Sequence, residues 1–152
     1  MASAAPDSSR RFELRFTATR DGFARAFEEL RQGLDGLPLD PRARFSVELI
    51  FEELVANVVR HGTQPAGNTT VSVTVALERD CLRLTFVDDG LAFDPRGHPE
   101  PPPARDLEHA SIGGRGLMLV RSVSTSLQYE RTPKGQNRLT IGVAIDPTSS
   151  PG

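Results

Sequence analysis

The chain is organised around residues 48–62, which read ELIFEELVANVVRHG. When these residues are placed on a helix at about 100° per residue, their apolar side chains share one broad sector. Glu53, Asn57 and His61 follow one another at a spacing of four along the edge of that sector. Burial of a glutamate is costly unless its carboxylate is hydrogen-bonded or does chemical work. The pattern predicts a core helix with a functional edge; the alternative is an amphipathic core helix with polar flanks.

Alternation of apolar and polar residues predicts five strands around this helix. They cover residues 12–16, 71–77, 82–86, 127–131 and 138–145. Because strands follow strands along the chain, we expect a mixed, mostly antiparallel sheet with the helices on one face. The predicted fold class is therefore α+β, a two-layer α/β sandwich.

Helical spacing predicts a helix on either side of the central one. The first is capped by Thr19 or Asp21 and followed by three helix-ending residues, Gly33, Gly36 and Pro38. The last is expected from Leu117 to about Thr125. The central helix itself should open at Asp40-Pro41, with the aspartate as cap and the proline in the first turn, and should close at Gly62.

Length and composition indicate one globular domain over residues 11–145, with disordered tails at 1–10 and 146–152. The chain has 152 residues, of which 38% are hydrophobic and 25% charged, and its net charge is −2. This charge gives no sign of a nucleic-acid partner, and no apolar run is long enough to span a membrane. Since residues 1–10 also lack the apolar stretch of a signal peptide, we expect a cytoplasmic protein.

Two glycine motifs follow the central helix. Asp88-x-Gly90 ends a predicted strand, where the carboxylate can accept a hydrogen bond from a ligand amine and the glycine allows a flat ring to approach. The alternative is a plain Asp-Gly turn. Residues 113–116, Gly-Gly-Arg-Gly, precede a predicted helix whose N-terminal N–H groups could bind phosphate. The alternative there is a helix start after a flexible loop, because a long polar segment with several prolines, residues 96–111, leads into it.

Taken in order, Glu53-x-x-x-Asn57, Asp88-x-Gly90 and Gly114-x-Gly116 resemble the N, G1 and G2 boxes of the GHKL ATPase superfamily. The chain most resembles the small bacterial anti-sigma factor serine/threonine kinases over residues 11–145. Further matches are the His-Gly at 61–62, DxGxxFDP at 88–95, GGxGLxLVRS at 113–122, and a closing Tyr129-x-Arg131 with Gly135-x-Asn137-x-Leu139. The resemblance implies the Bergerat-type ATP-binding fold.

The resemblance also implies roles for single residues. Asn57 would bind Mg²⁺ through its amide oxygen, a hard ligand suited to that ion. Glu53 would be the catalytic base towards the attacking hydroxyl. Asp88 would hold the adenine amine. The other residues implied to contact the nucleotide are Gly90, Phe93, Gly114, Arg115, Gly116 and Leu117, and residues 96–112 would form the lid.

The function implied by this resemblance is an ATP-dependent serine/threonine protein kinase of a partner-switching system, with ATP and Mg²⁺ as cofactors. It would phosphorylate a STAS-type anti-anti-sigma protein and sequester a sigma factor, without direct nucleic-acid or membrane contact, and could be a homodimer. Two alternatives remain open. One is a module that binds ATP or ADP and a partner with negligible phosphoryl transfer, and the other is a degenerate fold with an empty pocket.

Overall fold

The computed structural model describes residues 10–59, 69–94, 96 and 112–145, with residues 112–117 described by their backbone. The elements in chain order are β1 Arg11–Thr17, α1 Arg20–Asp35, α2 Pro41–Asn57, β2 Thr70–Leu77, β3 Cys81–Asp88, α3 Ile112–Val123, β4 Ser126–Arg131 and β5 Asn137–Ala144. All five predicted strands are present. The predicted tails, His61 and Gly62, and most of the predicted lid lie outside the described residues.

The five strands form one sheet in the order β1-β2-β3-β5-β4, and every pairing between them is antiparallel. Alternate side chains of β2, β3 and β5 are buried beneath the helices, and the intervening ones are half-buried or exposed on the other face. The prediction of a two-layer α+β sandwich with helices on one face is confirmed. No helix in the described part of the chain has the length and apolarity needed to cross a bilayer.

The strand register arranges the buried side chains in rows across the sheet. In one row Val75 lies opposite Leu84, which lies opposite Ile141; in the next row, Val73, Phe86, Leu139 and Tyr129 are neighbours. The last row is different, because Val71, Asp88, Asn137 and Arg131 are aligned there. The core thus changes from apolar to polar at one end of the sheet.

Phe51 fixes α2 across the sheet. Its side chain is fully buried, and its ring centroid lies 5.8–6.2 Å from those of four other phenylalanines, Phe16, Phe23, Phe27 and Phe86. Tilted and offset aromatic pairs at these distances are favourable beyond the apolar area that they bury. Since the four rings come from β1, α1 and β3, one residue of α2 ties these elements together.

The predicted helix starts at Thr19 and Asp40 are confirmed. The Thr19 hydroxyl accepts a hydrogen bond from the Gly22 N–H at 3.0 Å, and an Asp40 carboxylate oxygen accepts one from the Ala43 N–H at 3.2 Å. Each cap satisfies a backbone donor that has no partner within the helix.

The predicted end of α1 holds in part, and the predicted start of the third helix is wrong. Helix α1 ends at Asp35 with Gly36 as its C-terminal cap, as predicted, but it continues through Gly33. Gly33 is needed because a Cβ atom there would lie 2.5 Å from the Phe12 ring. The third helix begins at Ile112 rather than Leu117, so the glycine motif lies inside α3 and not before it. Glycine disfavours a helix by about 1 kcal/mol but does not forbid it, and α3 packs against α2 with Val120 fully buried.

We predict that Gly33→Ala destabilises the protein by about 1–3 kcal/mol, because the added methyl group forces the Phe12 ring out of its packed position. Helix propensity alone predicts the opposite sign, by about 1 kcal/mol. Gly36→Ala is the matched control, since the nearest atom to its added Cβ would be a carbonyl oxygen at 3.5 Å. Urea denaturation of both variants checks this prediction, and an equal or higher stability of Gly33→Ala would contradict it.

Candidate functional site

A cavity of about 520 Å³, counting the part open to solvent, lies at the polar end of the sheet beneath the end of α2. Six apolar side chains line it: Leu54, Val58, Val71, Phe86, Phe93 and Leu139. Four polar side chains also line it: Asn57, Asp88, Tyr129 and Asn137. An apolar slot with a few convergent polar groups suits a flat heteroaromatic ring.

Asp88 ends β3 and is only 9% exposed. Its Oδ1 atom accepts hydrogen bonds from the Gly90 N–H at 3.0 Å and from the Asn137 amide nitrogen at 2.9 Å. Burial raises the pKa of Asp88 above its usual value, although the two hydrogen bonds and the charge of Arg131 act in the opposite direction. Both of its described hydrogen bonds go to Oδ1, which leaves Oδ2 for a ligand.

Asn137, at the start of β5, is a functional candidate that sequence reasoning named in a motif but assigned no role. It is 5% exposed and bonds to three separate parts of the chain. Its amide nitrogen donates to Asp88 and to the Leu91 carbonyl at 2.8 Å. Its oxygen accepts from the Tyr129 hydroxyl at 2.5 Å and from Arg131 at 3.1 Å. The available signal was the alternation through residues 137, 139, 141 and 143, which places the asparagine on the buried face.

Asn57 ends α2 and faces this polar row from above the sheet. The residue is 5% exposed, and its Nδ2 atom is buried with no hydrogen-bond partner among the described residues. This atom can only donate a hydrogen bond, so the partner it lacks is an acceptor such as a phosphate oxygen, whereas the oxygen of the same amide is the atom suited to Mg²⁺. An amide with a buried, unpaired donor at the rim of a cavity fits a site for a polar ligand.

The remaining predicted residues are not among the described residues that line the cavity. Glu53 is half-buried one turn before Asn57 on α2 and is not among the residues that line the cavity. Gly90 is buried next to Asp88, and the Gly90 carbonyl accepts a hydrogen bond from Arg131 at 3.0 Å. The predicted phosphate-binding residues, 114–117, lie in the first two turns of α3, and their side chains are outside the described part of the structure.

The segment that leaves β3 is held close to the cavity by Arg96. Its guanidinium group makes two hydrogen bonds to Asp94, at 3.0 and 3.1 Å, and lies 5.8 Å from the centre of the Tyr129 ring. Its carbonyl accepts a hydrogen bond from Arg121 of α3 at 3.1 Å. The Arg96 side chain also lowers the pKa of Asp94 below its usual value. These contacts connect the start of the predicted lid with β4 and α3.

Comparison with known families agrees with this geometry. A family model described as the histidine kinase-like ATPase domain matches residues 14–142. The chain belongs to this family. The match runs from within β1 to within β5 and includes every residue that lines the cavity, so the recognition made from the three boxes is confirmed.

One relative and one solved structure extend the comparison of this histidine kinase-like ATPase domain. The serine/threonine-protein kinase BtrW of Bordetella bronchiseptica is 36% identical over 100 residues, which are 66% of this chain and 70% of that protein. The crystal structure of the RsbU and RsbW domains of Rv1364c from Mycobacterium tuberculosis superposes with a TM-score of 0.63 at 16% identity. That match covers 89% of this chain and 32% of the solved one, and it shows a shared fold.

The raised pKa of Asp88 predicts a pH-dependent effect of Asp88→Asn on stability. A carboxyl group whose pKa is raised in the folded state stabilises the protein most at low pH, and this contribution is lost as the pH rises through the folded-state pKa. Wild type should therefore lose stability relative to Asp88→Asn as the pH rises above the usual pKa of an aspartate, since the asparagine oxygen accepts the same two hydrogen bonds without a buried charge. Urea denaturation at a series of pH values measures the difference.

Asp94→Asn is the matched control, because the pKa of Asp94 is lowered by Arg96. Its contribution is present above the unfolded-state pKa and is lost as the pH falls through the folded-state pKa, so the two variants should have slopes of opposite sign. Slopes of the same sign would contradict the environment described for Asp88.

Proposed function

We propose that the chain binds ATP with Mg²⁺ in this cavity and acts as a serine/threonine protein kinase of a partner-switching system. It would phosphorylate a STAS-type anti-anti-sigma protein and, through a separate contact, sequester a sigma factor. Membership of the histidine kinase-like ATPase family supports nucleotide binding. The name of the Bordetella relative, a serine/threonine-protein kinase, supports the type of reaction.

The single observation that carries the proposal is the pair of polar groups on opposite sides of the apolar slot. Asp88 presents a carboxylate oxygen from the sheet, and Asn57 presents an orphaned amide from α2. Adenine is a flat ring with an exocyclic amine, and Mg²⁺ prefers oxygen ligands. The adenine amine would donate to Asp88, a phosphate oxygen would accept from the Asn57 Nδ2 atom, and the Asn57 oxygen would be the ligand of Mg²⁺, whereas an apolar ligand would supply none of these partners.

Each residue in this proposal has a defined part in binding. Asp88 would accept a hydrogen bond from the adenine amine, and apolar lining residues such as Leu54 and Phe86 would exclude water from the ring. Asn57 would hold Mg²⁺ together with phosphate oxygens, an arrangement typical of sites where the protein supplies one or two ligands. When bound, the ion neutralises phosphate charge and aligns the transferred group.

Glu53 would act as the base towards the substrate hydroxyl. It precedes Asn57 by one helical turn, so its carboxylate is placed next to the residue proposed to hold the metal ion. As the hydroxyl oxygen bonds to the γ-phosphorus and the bond to the ADP oxygen breaks, the proton of the hydroxyl passes to Glu53. Transfer also requires that the substrate protein presents its hydroxyl in line.

A thermal-shift experiment with and without Mg²⁺ tests nucleotide binding and the role of Asn57. ATP with Mg²⁺ at 100 times its dissociation constant should stabilise wild type by about 2.7 kcal/mol. Asn57→Ala should reduce this shift to the smaller value found for ATP with EDTA, because the variant lacks the metal ligand. No shift in wild type would refute the proposed function, and a full Mg²⁺-dependent shift in the variant would refute the role of Asn57.

A second candidate function, nucleotide binding without appreciable transfer, is favoured by the absence of Glu53 from the cavity lining. Phosphoryl transfer from radiolabelled ATP to a panel of STAS-type proteins separates the two functions. Glu53→Ala should lower the transfer rate by at least 100-fold and leave the ATP-induced thermal shift intact. The matched control is Glu52→Ala, since Glu52 is the neighbouring carboxylate on the exposed side of α2. Equal transfer by both variants would refute the proposed base, and no transfer by wild type would favour the binding module.

A further inference from the structure

Asn137 uses its whole hydrogen-bonding capacity within the protein. Its two amide protons are taken by Asp88 and by the Leu91 carbonyl. Its oxygen receives three donors, the Tyr129 hydroxyl, the Arg131 guanidinium and, at 3.3 Å, the backbone N–H of Phe93. A side-chain amide offers two donors and two lone pairs, so no capacity remains for a ligand. Although Asn137 lines the cavity, it therefore acts on a ligand through other residues.

The orientation of this amide is fixed by the chemistry of its partners. A guanidinium group and a backbone N–H can donate but cannot accept, so the oxygen of Asn137 must face Arg131 and Phe93. The Leu91 carbonyl on the other side can only accept, so the nitrogen must face it. If the amide were reversed, its nitrogen would face the two donors and its oxygen would face the Leu91 carbonyl, so the hydrogen bonds on both sides would be lost.

The fixed amide in turn determines what Asp88 can do. Asn137 and the Gly90 N–H both donate to Oδ1, and hydrogen bonds of this kind favour the ionised carboxylate. The carboxylate is also prevented from turning, because Oδ1 is held from two sides. The oxygen left for the cavity, Oδ2, is thus presented in one direction and as an acceptor.

We propose that Asn137, oriented by Tyr129 and Arg131, is the positioning residue that makes the cavity select a purine with an amino group over one with a carbonyl group at the same position. A carboxylate oxygen accepts a hydrogen bond from the amine of adenine, but it repels the carbonyl oxygen of hypoxanthine or guanine. This inference rests on the proposed function, in which the ring of a nucleotide lies against Asp88. It adds a specificity determinant that itself makes no contact with the nucleotide.

The test compares the affinities of the full chain for ADP and for inosine diphosphate, which differ at that position of the ring. Titration calorimetry of wild type should show a clear preference for ADP. Asn137→Leu keeps the approximate size of the side chain but cannot donate, and it should reduce the ADP-to-IDP affinity ratio at least tenfold. A residue with a merely structural role would weaken both nucleotides equally, so an unchanged ratio would overturn the inference.

Two further variants complete the test. Arg138→Gln is the matched control, because Arg138 is the next residue of β5 and pairs with Glu130 at 2.7 Å on the exposed side of the sheet. The ADP-to-IDP affinity ratio of this variant should equal that of wild type. If Asn137→Leu does not fold, Asn137→Ala decides the question. The alanine leaves room for water, which can donate or accept, so Asp88 is no longer held as an acceptor by a fixed donor. The ADP-to-IDP affinity ratio should then fall at least threefold, and an unchanged ratio overturns the inference.

The failure of the inference is distinguishable from that of the proposed function. Wild type that binds neither ADP nor inosine diphosphate would overturn both. Wild type that prefers ADP, together with an Asn137→Leu variant that keeps the same preference, would overturn the inference alone and leave the nucleotide site in place.

Discussion

The packing of Phe51 is the constraint on which the rest of the structure depends. Its ring lies among phenylalanines of β1, α1 and β3, so α2 can neither rotate nor slide without separating several buried aromatic contacts. Asn57 lies six residues further along the same helix, about 9 Å along its axis. Phe86 belongs both to this cluster and to the wall of the cavity. The core therefore sets the place of the orphaned amide above the polar row of the sheet.

The cavity contains groups that are unfavourable for folding. An unpaired buried donor costs about 1–3 kcal/mol, and the total stability of a domain of this size is only about 5–15 kcal/mol. Asn57 has such a donor, and Asp88 is an acid whose pKa is raised by burial. An apolar residue of similar volume would remove the unpaired donor at Asn57, and Asp88→Asn would remove the buried acid while keeping its two hydrogen bonds. The presence of Asn57 and Asp88 at the rim of one cavity is best explained by a ligand whose binding supplies the missing partners.

The sequence predicts the architecture well because the periodicity is local. Alternation identified all five strands, and four-residue spacing with a cap identified α2. The helix ends were less predictable, because the reason for Gly33 is a ring on another strand and α3 is extended by packing on α2. Of the residues expected to contact the nucleotide or the metal ion, Asn57, Asp88 and Phe93 line one cavity, whereas the side chains of residues 114–117 are outside the described part of the structure.

What sequence reasoning missed was the network around Asn137, whose partners lie 6 to 49 positions away in the chain. Three antiparallel strands bring these partners together, and only their register makes them neighbours. A slip of one residue between β3 and β5 would turn every inward side chain of β5 to the face of the sheet opposite the helices, and it would separate Asn137 from Asp88 at the same time. The register is specified strongly by the apolar rows next to it, Phe86 with Leu139 and Leu84 with Ile141. The proposed recognition of the base is thereby tied to the same strand pairing that closes the core, so the network around Asp88 forms only when the sheet is correctly assembled.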